Sequence, residues 1–338
     1  MVNKTSSILQ VNKTRIGVIA CSSVAEKRFL PALKLSDQAT LSMIGSRTIK
    51  KARLFAKRHG AKYYGDYQDV INSPDVDCVY ISTPPALHEE LAILAAENKK
   101  HIICEKPAVL TMQSLKRVLR ACKKNKVKFF ENYMYQFHHQ HEYINHWLKQ
   151  EDKPIYVSIK YLVPEPKKGD FRYDINLGGG AFYDMFGYAI SLILYFFGHA
   201  PMTISTQVQL DKKYKIPKVV SALVKYNEFP IINVIVGYGA FYTNQYSITT
   251  KNKIIRCNKA FAIDNSFKPE IEIIDDAGIK RPRLKPDDQF LKMIDQFCEN
   301  TRSIRDNKLM DYSNIKCHYK ILDAALESWQ ESRSIEIA

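Results

Sequence analysis

Residues 15–35 read RIGVIACSSVAEKRFLPALKL: an apolar run, a turn of very small residues, then apolar positions recurring every three to four residues. Arg15–Ala20 reads as a buried strand and Ala25–Leu35 as a helix, because the period changes between them. The same unit repeats downstream. Strands are expected at 39–45, 62–64, 77–82, 101–104 and 128–131, with helices at 49–59, 67–72, 88–98 and 112–125. Such alternation with short connections implies right-handed crossovers and a parallel, doubly wound sheet.

Near Tyr133 the pattern changes. Helix 136–149 is followed by a strand at 155–163, and Gly178–Gly180 opens a long apolar helix that ends before Gly198. β-rich runs follow at 202–210, 219–226, 231–242, 246–250, 253–257 and 271–274, then two amphipathic helices near 288–300 and 313–332. The expected architecture is α/β: an N-terminal Rossmann domain at 14–132, and an α+β domain at 133–338 with a large open, mostly antiparallel sheet.

The 338 residues carry a net charge of +15, yet the basic residues spread along helix faces such as Lys50–Arg58 and Lys116–Lys124 instead of forming one arm. That argues against a nucleic-acid partner and leaves attraction of an anionic small molecule. The seven cysteines form no C-x-x-C pair, as expected of reduced thiols in a cytoplasmic protein. Met1–Lys13 lacks an apolar core of the signal-peptide kind, and the run 181–197 carries Asp184 and is short for a span. No membrane association is expected.

A strand running directly into a helix is where a Rossmann fold seats a pyrophosphate. The three glycines of G-x-G-x-x-G fall on Ala20, Ser22 and Ala25, with Cys21, Ser23 and Val24 between them. The turn can still hold phosphate if it avoids positive φ; an ordinary strand–helix turn reads equally well. After the second strand comes Met43-Ile44-Gly45-Ser46-Arg47-Thr48, with no carboxylate to accept from a ribose 2′-hydroxyl. Ser46, Arg47 and Lys51 suit a 2′-phosphate instead, so NADP(H) is favoured over NAD(H) if a dinucleotide binds.

Three segments complete the pattern: Thr83-Pro84-Pro85 with His88, Glu105-Lys106-Pro107, and Gly178-Gly179-Gly180-Ala181 with Asp184 and Tyr188. With Leu30-Pro31-Ala32-Leu33, Glu131-Asn132-Tyr133-Met134-Tyr135 and Leu322-Asp323-Ala324-Ala325, their order resembles the Gfo/Idh/MocA oxidoreductases over nearly the whole chain. The resemblance implies hydride transfer to or from a sugar-like carbonyl or alcohol. Thr83, Pro84, His88, Glu105 and Lys106 would stand on the cofactor side. Lys106 would touch the reacting oxygen, whose developing charge needs a positioned cation or acid.

Most members resembling this chain carry His at the acid–base position; a subgroup similar to nucleotide-sugar 3-ketoreductases, glucose–fructose oxidoreductase and dimeric dihydrodiol dehydrogenases carries Tyr. That makes Tyr188 the expected proton donor, its pKa lowered by Lys106, with Asp184 four residues earlier orienting substrate hydroxyls. A plain aromatic on an apolar helix is the other reading of Tyr188. Arg172, Tyr161 and Lys160 are expected on the sugar side, although Arg172 suits a structural ion pair equally. Reduction of a 3-keto nucleotide-sugar is the lead activity. The alternatives are a xylose or trans-dihydrodiol dehydrogenase, and a catalytically silent dinucleotide sensor. His138, His139 and His141 do not share one helix face, and no metal is expected. The open sheet and the resemblance together imply a homodimer or homotetramer.

Overall fold

The computed structural model describes residues 12–303 and 312–337, so most of the polar leading segment lies outside the described residues. The first six strands are β1 (Thr14–Ile19), β2 (Ala39–Gly45), β3 (Tyr63–Gly65), β4 (Cys78–Ile81), β5 (His101–Glu105) and β6 (Phe129–Asn132). They form one parallel sheet in the order β3-β2-β1-β4-β5-β6, the doubly wound order with its crevice between β1 and β4. The helices between them are α1 (Leu30–Leu35), α2 (Ile49–His59), α3 (Tyr67–Asn72), α4 (His88–Glu97) and α5 (Met112–Asn125). Gly17 lets α3 approach β1, since a Cβ there would stand 2.5 Å from Val70 Cγ1.

The second half contributes α6 (His139–Leu148), β7 (Tyr156–Val163), α7 (Gly187–Phe197), β8 (Thr203–Leu210), β9 (Pro217–Lys225), β10 (Ile231–Tyr238), β11 (Thr243–Thr249), β12 (Ile254–Asn258), β13 (Ile271–Asp275), β14 (Gly278–Lys280), α8 (Gln289–Arg302), α9 (Tyr312–Glu331) and β15 (Ile335–Glu336). Its nine-stranded sheet runs β14-β13-β12-β11-β7-β10-β9-β8-β15. Only β7–β10 is parallel, because these strands are joined through the long α7 excursion and not a hairpin.

Three departures from the sequence reading have physical causes. The apolar helix expected from 181 is present and runs to Phe197, but its first turn, Phe182–Phe186, is widened before it continues without a break into α7. The run 175–197 is long and apolar enough to cross a membrane, but 72% of its most apolar window is buried inside the protein. The two-residue β15 and the three-residue β14 were too short to read as strands from alternation. The third departure is topological. Helix α8 packs back on the first sheet, where Phe290, Met293, Ile294 and Phe297 join Ile16, Val18, Phe29, Ile44 and Tyr80 in one core. The larger core joins the other face of that sheet to α7, α9 and the inner face of the second sheet.

Candidate active site

The carboxyl ends of β1, β2, β4 and β5 open into a cavity of about 1050 Å³ whose far wall comes from the second sheet and the Phe182–Phe186 turn. Of the site residues expected from the sequence, all but His88 and Lys160 line it: Ala20 to Val24, Ser46, Arg47, Lys51, Thr83, Pro84, Glu105, Lys106, Tyr161, Arg172, Asp184 and Tyr188.

The β1 turn does not avoid positive φ. Ala20 sits at φ +82°, the backbone state that glycine supplies in the usual motif. Ser22 begins the following helical turn, its Oγ accepting from Ala25 N–H at 3.1 Å. At the end of β2, Ser46, Arg47, Thr48, Lys51 and Cys21 wall one end of the cavity, joined by Tyr67, whose hydroxyl meets Arg47. No carboxylate stands at that end; the wall's acids are Glu105, Asp170 and Asp184. A phosphorylated ribose therefore fits, and among the described residues no carboxylate lines that end to accept from a free ribose 2′-hydroxyl. Toward the middle, Thr83 Oγ1 is buried without a partner in the cavity wall, a polar atom left for a ligand to satisfy. These residues fit a nicotinamide dinucleotide phosphate lying along the crevice.

His88 is corrected to a tie between loops. It is 1% exposed, with Nδ1 2.9 Å from Pro107 O and Nε2 2.8 Å from Thr83 O, so no ring edge is left for a cofactor. Burial pushes its imidazole down to about 4, and the tautomer decides which carbonyl receives the N–H. Glu105 turns partly inward, where its Oε1 accepts from Tyr80 O–H at 2.6 Å and Asn132 Nδ2–H at 2.7 Å. Lys160 points to solvent from the outer face of β7, as alternation along a strand requires, and is removed from the substrate side.

Lys106, on the loop after β5, donates from Nζ to Asp184 O at 2.6 Å and Asp184 Oδ1 at 2.8 Å. Arg172 Nε donates to Asp184 Oδ2 at 2.7 Å, and Tyr238 O–H donates to the same oxygen at 3.0 Å. Arg172 also pairs with Asp170 at 3.1 Å. Gly179 brings this segment close, because a Cβ there would stand 2.6 Å from Arg172 O and Asp174 O. Burial would raise the Asp184 carboxyl, but Arg172 and Lys106 outweigh it and hold the group well below the usual carboxylate range. With its oxygens taken, Asp184 orients Lys106, Arg172 and Tyr238, not substrate hydroxyls. Tyr238 was missed in the sequence, where it is one more apolar-run residue 54 positions beyond its partner.

Tyr188 lies beneath Lys106, with Nζ 4.7 Å from the ring centroid. The ring is 4% exposed and enclosed edge-on by Tyr133 and Tyr161, with tilted contacts to Tyr135 and Phe261. Its hydroxyl is 3.9 Å from Met134 Sδ. The expectation that Lys106 lowers its pKa is corrected. Burial pushes the phenol well up, and Tyr161, Glu105 and Asp184 add to the rise, because the ammonium meets the ring face and is itself paired with Asp184.

Away from the cavity, His138, His139 and Asp287 place candidate ligand atoms within 4.8 Å of one another, the one such group among the described residues. Asp287 Oδ2 already receives His139 Nδ1 at 2.7 Å and the Lys292 ammonium at 2.6 Å. His138 Nδ1 accepts from Gln140 N–H, which puts the neutral ring's proton on Nε2. A cation would have to displace that proton and compete with Lys292. His141 is buried instead between Tyr246 Oη and Ala260 O. All seven cysteines are free.

Residues 14–133 match the oxidoreductase family described by its NAD-binding Rossmann fold, and residues 152–256 match the Gfo/Idh/MocA C-terminal domain. The chain is 26% identical over 293 residues to the dTDP-3,4-didehydro-2,6-dideoxy-alpha-D-glucose 3-reductase of Actinomadura kijaniata, covering 85% of this chain and 87% of that protein. It is 23% identical over 326 residues to D-xylose 1-dehydrogenase (NADP(+)) 2 of Haloferax volcanii, covering 95% and 99%. A crystal structure of a 3-ketoreductase from Actinomadura kijaniata with NADP and TDP-benzene superposes with a TM-score of 0.90 at 24% identity, covering 94% of this chain and 98% of that one.

Proposed function

The chain belongs to the Gfo/Idh/MocA family of oxidoreductases, and from that premise we propose an NADP(H)-dependent reduction of the 3-keto group of a nucleotide-activated sugar. The family membership, with sugar reductases and dehydrogenases among its relatives, makes this a sugar-related oxidoreductase of CH–OH and keto groups. In this reading residues 14–132 hold the dinucleotide and 133–338 the substrate, with α8 serving the first domain's core. The observation that carries it is the meeting of Lys106 and Tyr188, 4.7 Å apart, in a cavity whose other end presents Ser46, Arg47 and Lys51.

Bound nicotinamide would supply the hydride. Lys106 places a positive charge where oxygen becomes anionic, while Asp184 fixes its direction. The Arg172 guanidinium takes up Asp184's second oxygen, so the carboxylate does not cancel the Lys106 charge alone. Tyr188, held neutral by burial, remains loaded as a proton donor for the alkoxide. The raised phenol keeps its proton above the ordinary range, so the reductive kcat should show no Tyr188 titration from about pH 6 to about pH 9. Tyr188→Phe is expected to lower kcat by about 10- to 100-fold, with the NADPH Kd within about threefold of wild type; an unchanged kcat removes the proton-donor role.

The decisive assay compares NADPH oxidation with a 3-keto nucleotide-sugar against NADP reduction with free pentoses or diols. Turnover only of the latter moves the reading to a xylose or dihydrodiol dehydrogenase. No turnover with either supports a silent sensor. Arg47→Ala is expected to weaken NADPH by about tenfold while changing NADH less than about twofold, read by fluorescence titration. Equal losses for both cofactors would remove Arg47 from the 2′-phosphate. The same reading places the protein in the cytoplasm, where the free thiols stay reduced, and pairs two copies through the outer face of the nine-stranded sheet. Exposed Leu223 and Ile231 lie on that face, and native mass spectrometry reads the assembly.

A further inference from the structure

The β1 turn has lost the glycines at 20 and 22 yet keeps the backbone path they normally allow. Ala20 at φ +82° stands in the left-handed region, where the Cβ of an L-residue crowds the backbone. Such a residue persists only where its surroundings over-determine it. The surroundings here are two hydroxyls. Ser82, 7% exposed just beyond β4, directs its Oγ to Ala20 O at 3.3 Å and Ile19 O at 3.2 Å. Ser22 Oγ donates to Ser82 Oγ at 2.8 Å and accepts from Ala25 N–H at 3.1 Å. The Ala20 N–H goes to Gly45 O at 3.0 Å, and Ser82 N–H to Ile19 O at 3.0 Å. Ala20, Ser22 and Ser82 all line the cavity.

We propose that Ser82 and Ser22 form a hydroxyl clamp that holds Ala20 in its left-handed conformation and so positions the turn for a dinucleotide diphosphate, in place of the missing glycines. The inference rests on the cavity taking a nicotinamide dinucleotide, as proposed above. Both serines are positioning residues. Their hydroxyls are spent on the backbone and each other, so the effect on the ligand passes through the shape of the turn. A glycine at 20 adopts the same φ without strain, and the clamp should then become nearly dispensable.

The test is a double-substitution cycle on the intact protein with NADPH as the probe. Ser82→Ala is expected to raise the NADPH Kd by about tenfold, and KM for NADPH should rise more than kcat falls. In an Ala20→Gly background the same change should cost about twofold or less. Ser82→Thr, which keeps the hydroxyl, should recover most of the lost affinity. Melting curves of the unliganded variants read the coupling independently, with Ser82→Ala lowering Tm more beside Ala20 than beside Gly. Should Ser82→Ala fail to fold, Ser22→Ala replaces it in the cycle. A Kd within twofold of wild type, or losses that multiply whatever stands at 20, overturns the clamp while leaving the enzyme reading intact. A wild-type protein that binds neither NADPH nor NADH ends the dinucleotide reading, and the clamp's role with it.

Discussion

Lys106→Ala is expected to lower kcat for NADPH-dependent keto reduction by at least about 100-fold, with the NADPH Kd within about threefold of wild type. The Lys106 side chain is 12% exposed and its ammonium is directed by Asp184 and poised above Tyr188, so water cannot easily replace it as a stabiliser of developing negative charge. The fold should survive. Asp184 keeps Arg172 and Tyr238 as partners, and Lys106 lies on a loop lining the existing cavity, so truncating it opens no new hole in a core. Stopped-flow hydride transfer and a melting curve separate the two effects. A loss smaller than tenfold in a folded variant means that another group carries the charge.

Arg172→Ala should be the most destabilising change in the site, by about 2–3 kcal/mol, because it strips a buried carboxylate of its strongest partner; the one-third exposure of the Arg172 side chain keeps the figure below that of a fully buried pair. Asp184's folded pKa is depressed. Its stabilisation is therefore complete above the unfolded carboxylate value near 4 and is lost as pH falls toward the folded one. Without Arg172 the folded value climbs back toward the ordinary range. Wild type and variant should thus differ most in Tm at neutral pH, with the gap beginning to narrow only below about pH 4, as pH falls toward the folded value. Turnover should fall as well, since Asp184 would then neutralise Lys106 alone. A Tm gap that stays constant with pH would place Arg172's contribution in packing instead of charge.

How far the sequence carried depends on whether a property is local. The β–α alternation and the missing carboxylate after β2 follow from short-range patterns, whereas the gathering of Lys106, Asp184 and Tyr188 was implied by the family resemblance, and the cavity contains each of those three residues. What each group does there depends on distant partners. Asp184 was readable as a site residue, but not as one saturated by Tyr238 from the tip of β10. Tyr188 was readable on its helix, but the rings of Tyr133, Tyr161 and Phe261 that bury it come from three other segments. Small side chains at 20 and 22 could be counted, whereas Ala20's positive φ could not, since alanine by itself argues against it. His88 shows the same limit: its position suggested a ligand contact, and only the fold reveals two carbonyls occupying its ring.

The return of α8 to the first sheet has a bearing on how the protein is made. A ribosome delivers all six parallel strands well before Phe290, Met293, Ile294 and Phe297, so the nascent chain leaves part of one apolar face of that sheet uncovered through the synthesis of β7 to β14. A face of this kind is a target for chaperones and a seed for aggregation. Truncated versions ending before Gln289 should accordingly precipitate, even though every strand of the nucleotide-binding half is present.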